Sequence, residues 1–147
     1  MAIVTLQARK GTADLLGSDA APATLGTSYA AGGTSSAADP DGATWMAFYI
    51  FVDAKSTATQ LDFQVEVSPS GDTATATEWA PLMGETYSAG AATLAPWEGQ
   101  TTAIGAVSTD PTLVAVVPFR VKGLRYWRIK LKADAGTPTV HVKFGCS

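Results

Sequence analysis

The sequence predicts an all-β chain, an antiparallel β-sandwich of jelly-roll type. Three observations predict it. About seven or eight short stretches concentrate or alternate apolar residues as strands do, Gly and Pro separate them at turn positions, and no stretch carries an amphipathic helical period. Side chains switch face at every residue of a strand, so alternation marks a sheet with one covered and one open face. Length agrees, because 147 residues fit a single domain of the usual ~100–200.

Residues 3–7 read as a first strand. Residues 8–43 do not read as strand. Of these 36 positions, 24 are Ala, Gly, Ser or Thr, and only Leu15, Leu16, Leu25 and Tyr29 are large apolar anchors. The expectation is an N-terminal strand and extended arm over 1–43, packed on the sandwich or on a neighbouring subunit, with 44–147 as the body of one domain. Asp39-Pro40-Asp41-Gly42 is a turn, since Pro presets φ and Gly supplies positive φ. Residues 45–52 are apolar on both faces. They predict a central strand covered on both sides, or covered in part by a neighbouring chain.

Gln60–Ser68 puts Leu61, Phe63, Val65 and Val67 on one face and Asp62, Gln64 and Glu66 on the other. Ser68-Pro69-Ser70-Gly71-Asp72 then turns. Residues 75–80 and 101–107 are weaker strands. Residues 84–111 repeat the small-residue composition around Tyr87, Leu94, Trp97 and Ile104, and read as loop. Residues 113–121 are strongly β-like, and Pro118, which cannot donate to a ladder, predicts an edge or a bulge. Within 124–132, Trp127, Ile129 and Leu131 face one way, and Tyr126, Arg128, Lys130 and Lys132 the other. Ala133-Asp134-Ala135-Gly136 predicts a short hairpin into 139–144, where Val140, Val142 and Phe144 face the core and His141 the polar side.

Composition removes several function classes. Ala, Gly, Ser and Thr make up 69 residues, and charged residues only 16%. No run of ~18 apolar residues offers a membrane span. The opening residues lack a basic region followed by a long apolar one, so no signal peptide is expected. One cysteine, Cys146, cannot make an internal disulfide, and the absence of Asn removes N-linked glycosylation. The formal charge of −3 argues against a specific nucleic-acid partner. It hides a split, because residues 118–147 balance at +6 and residues 1–117 at −9. Such a split suits self-association or docking on an acidic partner.

Chemical motifs are sparse. There is no phosphate-binding glycine loop, no His-Glu-x-x-His and no Gly-x-Ser-x-Gly. No catalytic residue, metal site or cofactor is therefore expected. His141 reads as an exposed strand histidine, and Cys146 as incidental. Asp39 and Asp41 beside Gly42 could offer oxygens to calcium, but a plain turn explains them. Trp45 and Trp127 alternate with apolar residues and read as core. Trp79 and Trp97 sit beside prolines and read as loop tryptophans, candidates for an interface anchor or a sugar platform, with Tyr29 on the arm as a further partner-binding candidate. Arg128, Lys130 and Lys132, flanked by Arg120, Lys122 and Arg125, form the sharpest charge feature. They read as a solvated sheet face that resists edge pairing, as a dock for an acidic protein surface or, least of the three, as a nucleic-acid face, since the acidic remainder would repel phosphate.

Three phrases then carry a resemblance. Val65-Glu66-Val67-Ser68-Pro69-Ser70-Gly71, Glu78-Trp79-Ala80-Pro81-Leu82 and Gly123-Leu124-Arg125-Tyr126-Trp127-Arg128-Ile129-Lys130-Leu131 resemble galactose-binding-like (discoidin-like) jelly rolls. Within an Ala/Thr/Gly-rich chain of this size they also resemble small structural proteins of tailed-phage virions. Residues 72–77 lengthen the spacing before Trp79, and no ligand residue transfers by position. The resemblance implies a non-enzymatic virion protein, made in the host cytoplasm, of capsid decoration or cement type. It would form a homo-oligomer such as a trimer and clamp neighbouring major capsid subunits or other virion proteins. The alternatives are a carbohydrate-binding module, a neck or tail component and, most weakly, a glycosidase using paired carboxylates.

Overall fold

The computed structural model describes residues 3–7, 10–71, 78–88, 91–96, 100–104, 111–121 and 124–147, with backbone alone over 83–88, 91–96 and 100–101. The elements in chain order are β1 (Ile3–Thr5), β2 (Thr12–Leu16), β3 (Ala23–Thr24), a 3-10 turn (Ala31–Gly33), β4 (Ala37–Asp39), β5 (Trp45–Ala54) and β6 (Gln60–Ser68). There follow β7 (Ala80–Pro81), β8 (Met83–Ser88), β9 (Ala91–Pro96), β10 (Gln100–Ala103), β11 (Thr112–Arg120), β12 (Tyr126–Ala133) and β13 (Thr139–Cys146).

Sheet A has the order β1-β4-β12-β6-β10, with β7 added beside β6; sheet B has the order β11-β5-β13-β2, with β3 beside β13. Four antiparallel pairs are nested about the middle of the chain: β2 with β13, β4 with β12, β5 with β11, and β6 with β10. Each pair lies in the sheet opposite to the pair before it. That is one long hairpin wound around itself, the topology of a jelly roll. β8 and β9 form a separate hairpin between β7 and β10.

Alternation decides what goes inside. Leu61, Phe63 and Val65 of β6 and Trp127, Ile129 and Leu131 of β12 are buried from sheet A. Met46, Phe48, Ile50 and Val52 of β5 and Val140, Val142 and Phe144 of β13 are buried from sheet B. Phe119 of β11 joins the two layers, edge-on to Phe48 at 6.2 Å and tilted against Trp127 at 5.3 Å. β11 is an edge strand, where Pro118 is tolerated; its register shift lies away from Pro118, between Leu113 and Ala115.

Three expectations about local structure are corrected. Residues 8–43 do contain strands, because β2 and β3 join sheet B and β4 joins sheet A. Backbone pairing needs no apolar alternation, and small side chains permit close approach. Ala37 and Ala38 are fully buried, and a Cβ on Gly33 would lie 2.4 Å from the Leu131 carbonyl oxygen. Residues 84–111 likewise hold the β8–β9 hairpin and β10. The link 134–138 is not a hairpin: β12 and β13 lie in different sheets, so it crosses from one layer to the other. Gly136 (φ +69°) turns it, and Asp134 accepts hydrogen bonds from the Thr59 hydroxyl and from the Thr59 and Gln60 amides.

Candidate functional site

The sequence-derived basic strand sits on the outer face of sheet A, directly opposite acids of β6. Arg128 faces Glu66 in register, Lys130 faces Gln64 and Lys132 faces Asp62. Arg128 donates to Glu66 Oε1 from Nε at 2.9 Å and from Nη2 at 2.8 Å; Lys130 Nζ is 3.8 Å from the same oxygen, and Lys132 Nζ is 4.0 Å from Asp62. Most of this charge is therefore answered within the sheet. Trp79, expected on an exposed loop, is 6% exposed and covers Arg128, whose guanidinium carbon lies 4.4 Å from the ring centroid. The cause is β7, which pairs with Glu66 and Val67 and lays the preceding Trp79 over the sheet. Tyr29 makes a similar contact with Lys132 Nζ at 4.9 Å. Trp97 and Lys122 lie outside the described residues.

Arg120 and Arg125 differ from the other bases. They line an open concavity of about 850 Å³ at one end of the sandwich, with Leu124 and the turn Asp39-Pro40-Asp41-Gly42. Arg120 is exposed and makes no ion pair among the described residues. Arg125, with a 67% exposed side chain, reaches Asp39 at 3.4 Å and lies over the Tyr126 ring at 5.0 Å. The hydrogen bond to Asp39, then that carboxylate's charge, raises its pKa further. Asp39 is buried and also accepts from the Thr5 hydroxyl. Among the described residues no three His, Cys, Asp or Glu side chains gather as metal ligands.

His141 is corrected too. It points to the outer side of sheet B, as alternation requires, but it is 1% exposed. Its ring stacks on Phe51 at 4.6 Å with a 2° interplanar angle, and Nδ1 hydrogen-bonds Asp53 Oδ2 at 2.8 Å. Cys146 hydrogen-bonds the Leu6 carbonyl, and burial, then the charges of Asp39 and Asp41, push its thiol pKa up. A thiol held protonated is a poor nucleophile.

Sequence reasoning missed Trp45. Alternation with apolar neighbours places it in the core, yet it is the most exposed large apolar residue described, at 51%. Registers give the outer face of sheet B in rows: Arg120 and Trp45; Pro118, Ala47, Gly145 and Thr12; Val116, Tyr49, Lys143 and Asp14. The middle row has small or flat side chains, so a groove of about 360 Å³ runs there between Trp45 and Tyr49. No helix among the described residues is long and apolar enough to cross a membrane. In comparisons with known families, curated proteins and solved structures, the chain matches none.

Proposed function

We propose that the chain is a non-enzymatic structural protein of a tailed-phage virion, a decoration (cement) protein that associates with its own copies and clamps neighbouring capsid subunits. A jelly roll serves many functions, so the support must come from surface chemistry. The observation that carries the reading is the arginine end of the sandwich. Leu124 is 41% exposed there, between Arg120 and Arg125. Ile3, 44% exposed, packs with Tyr126 against Gly71 nearby. Apolar side chains held in water and rimmed by charge mark an interaction surface. Arg120, without an ion pair among the described residues, and Arg125, exposed beyond its contact with Asp39, favour an acidic partner, since guanidinium groups bind carboxylates in a fork.

Exposed Asp41 lies on the same end as Arg120. Both signs on one patch allow an isologous contact, Arg120 of one copy meeting Asp41 of another. A small footprint suffices on a shell, because repetition over a lattice multiplies weak contacts. The test mixes purified protein with expanded empty shells of its own phage. Cosedimentation and a raised shell melting temperature are expected, both weakened by Arg120→Glu with Arg125→Glu and by added salt. Failure of the unaltered protein to bind or stabilise shells removes the reading.

A further inference from the structure

The groove on the outer face of sheet B calls for a different ligand. We propose that it is a binding site for a neutral saccharide, in which Trp45 and Tyr49 flank the sugar and Gly145, Ala47 and Pro118 form the floor. The inference stands apart from the docking reading, since none of these residues belongs to the arginine end.

The floor comes first. Ala47, Gly145 and Pro118 occupy one row across β5, β13 and β11, and none extends far from the sheet. A Cβ on Gly145 would stand 3.3 Å from the Gly11 carbonyl oxygen and 3.4 Å from both Thr12 Cγ2 and Tyr49 Cε2, so the missing methyl leaves the groove its depth. The flanks come next. Residues 45 and 49 share a face and are separated by about 13 Å, four residues at ~3.3 Å each. Trp45 is half exposed, as a stacking surface must be. A sugar ring offers apolar C–H faces to aromatic rings and hydroxyls to the polar groups beside them. Here the hydroxyl-bearing residues of the lining are uncharged side chains: Thr12, Tyr49 and Ser147.

Charge narrows the ligand. The groove is lined by no Asp, Glu, Lys or Arg side chain, and Cys146 at its edge has its pKa raised. The nearest bases and acid are occupied or off the floor. Lys143 and Asp14, one row beyond, are paired at 2.9 Å, and Arg120, on β11 opposite Trp45, is a single base at the margin of the groove. A phosphate, an acidic peptide or a nucleic acid meets no counter-charge on the floor. Size narrows it further. About 360 Å³ falls at the small end of the ~300–1,000 Å³ of ligand pockets. The large apolar side chains exposed on this face are few, Trp45 at 51%, Val116 at 48% and Leu113 at 46%, against the ~800 Å² per partner that a stable protein interface buries, so a small ligand suits the groove better than a second copy.

The experiment titrates ¹⁵N-labelled protein with neutral gluco-, galacto- and manno-oligosaccharides, up to about 10 mM to reach weak affinities. At least one should bind and shift the amides of Ala47, Tyr49 and Gly145. Trp45→Ala, at an exposed site that does not endanger folding, should weaken it roughly tenfold or more, as loss of an aromatic anchor does. Gly145→Ala, which raises the floor, should weaken it as well, and Arg125→Glu, at a site beside Asp39 and off the groove, should leave it unchanged. The inference falls if no sugar in the panel shifts these amides, if binding survives Trp45→Ala, or if sedimentation without sugar shows a dimer that Trp45→Ala dissolves.

Discussion

Replacing Glu66 by Leu removes the only carboxylate that Arg128 contacts among the described residues. Both side chains are nearly dry, 9% and 11% exposed, and Trp79 closes the guanidinium off at 4.4 Å. Breaking a buried ion pair by deleting one partner costs about 3–5 kcal/mol, because the surviving charge stays desolvated. Residual exposure favours the lower end, about 3 kcal/mol. For a chain of this size each kcal/mol moves Tm by roughly 2–4 °C, so the expected drop is about 6–12 °C. The double variant Glu66→Leu with Arg128→Met has no stranded charge and should return to within about 1 kcal/mol of the parent. Urea unfolding of the four proteins closes the cycle and gives a coupling energy of about 2 kcal/mol or more. A loss under about 1 kcal/mol for Glu66→Leu, or a coupling near zero, refutes the claim that this outer-face pair behaves as buried.

Gly33→Ala should lower stability by about 1–3 kcal/mol in urea unfolding, since its Cβ would lie 2.4 Å from a backbone oxygen of β12 and the chain must shift to admit it. Asp134 has its pKa held below 3.8 by the Thr59 hydroxyl and then the Thr59 amide. The folded state therefore binds fewer protons than the unfolded one at acid pH, and this stabilisation is present above about pH 4 and lost as pH falls through the folded value. Asp134→Asn should be less stable at neutral pH, with the difference shrinking on acidification in melts at several pH values. Cys146, with its pKa raised above 9.0, should alkylate slowly at neutral pH and accelerate only in alkaline solution; fast modification at neutral pH contradicts its burial.

The sandwich was legible wherever both faces of a strand differ in chemistry. β6 and β12 are such strands, and their inner residues are those the alternation selects. The segments made of small residues were not legible. Ala37 and Ala38 bear no pattern that separates strand from loop, yet β4 pairs with β1 and β12, because a ladder is held by backbone groups that every non-proline residue owns. The end of β12 misled for another reason. A short Gly-containing link serves a hairpin and a crossing between layers equally well, and only the partners of β13, which are β5, β2 and β3 rather than β12, decide between them.

For the site, the face of a residue was readable but its cover was not. Trp45 shares parity with Ala47, Tyr49 and Asp53, while Met46, Phe48, Ile50 and Val52 form the purely apolar set. Extending the strand to Asp53 would have turned Trp45 outward from sequence alone. Yet three outer-face residues end in three environments. His141 is covered by Phe51 and Asp53 of the neighbouring strand, Arg128 by Trp79 from the segment before β7, and Trp45 by nothing described. These covers are tertiary choices that local periodicity does not encode. Trp79 and Tyr29 lie against the charged face of sheet A, whereas the row through Ala47 and Gly145 stays open. Among the described residues no connection roofs that row of sheet B, so a substitution such as Gly145→Ala should change binding at the open aromatic face while leaving the core beneath it intact.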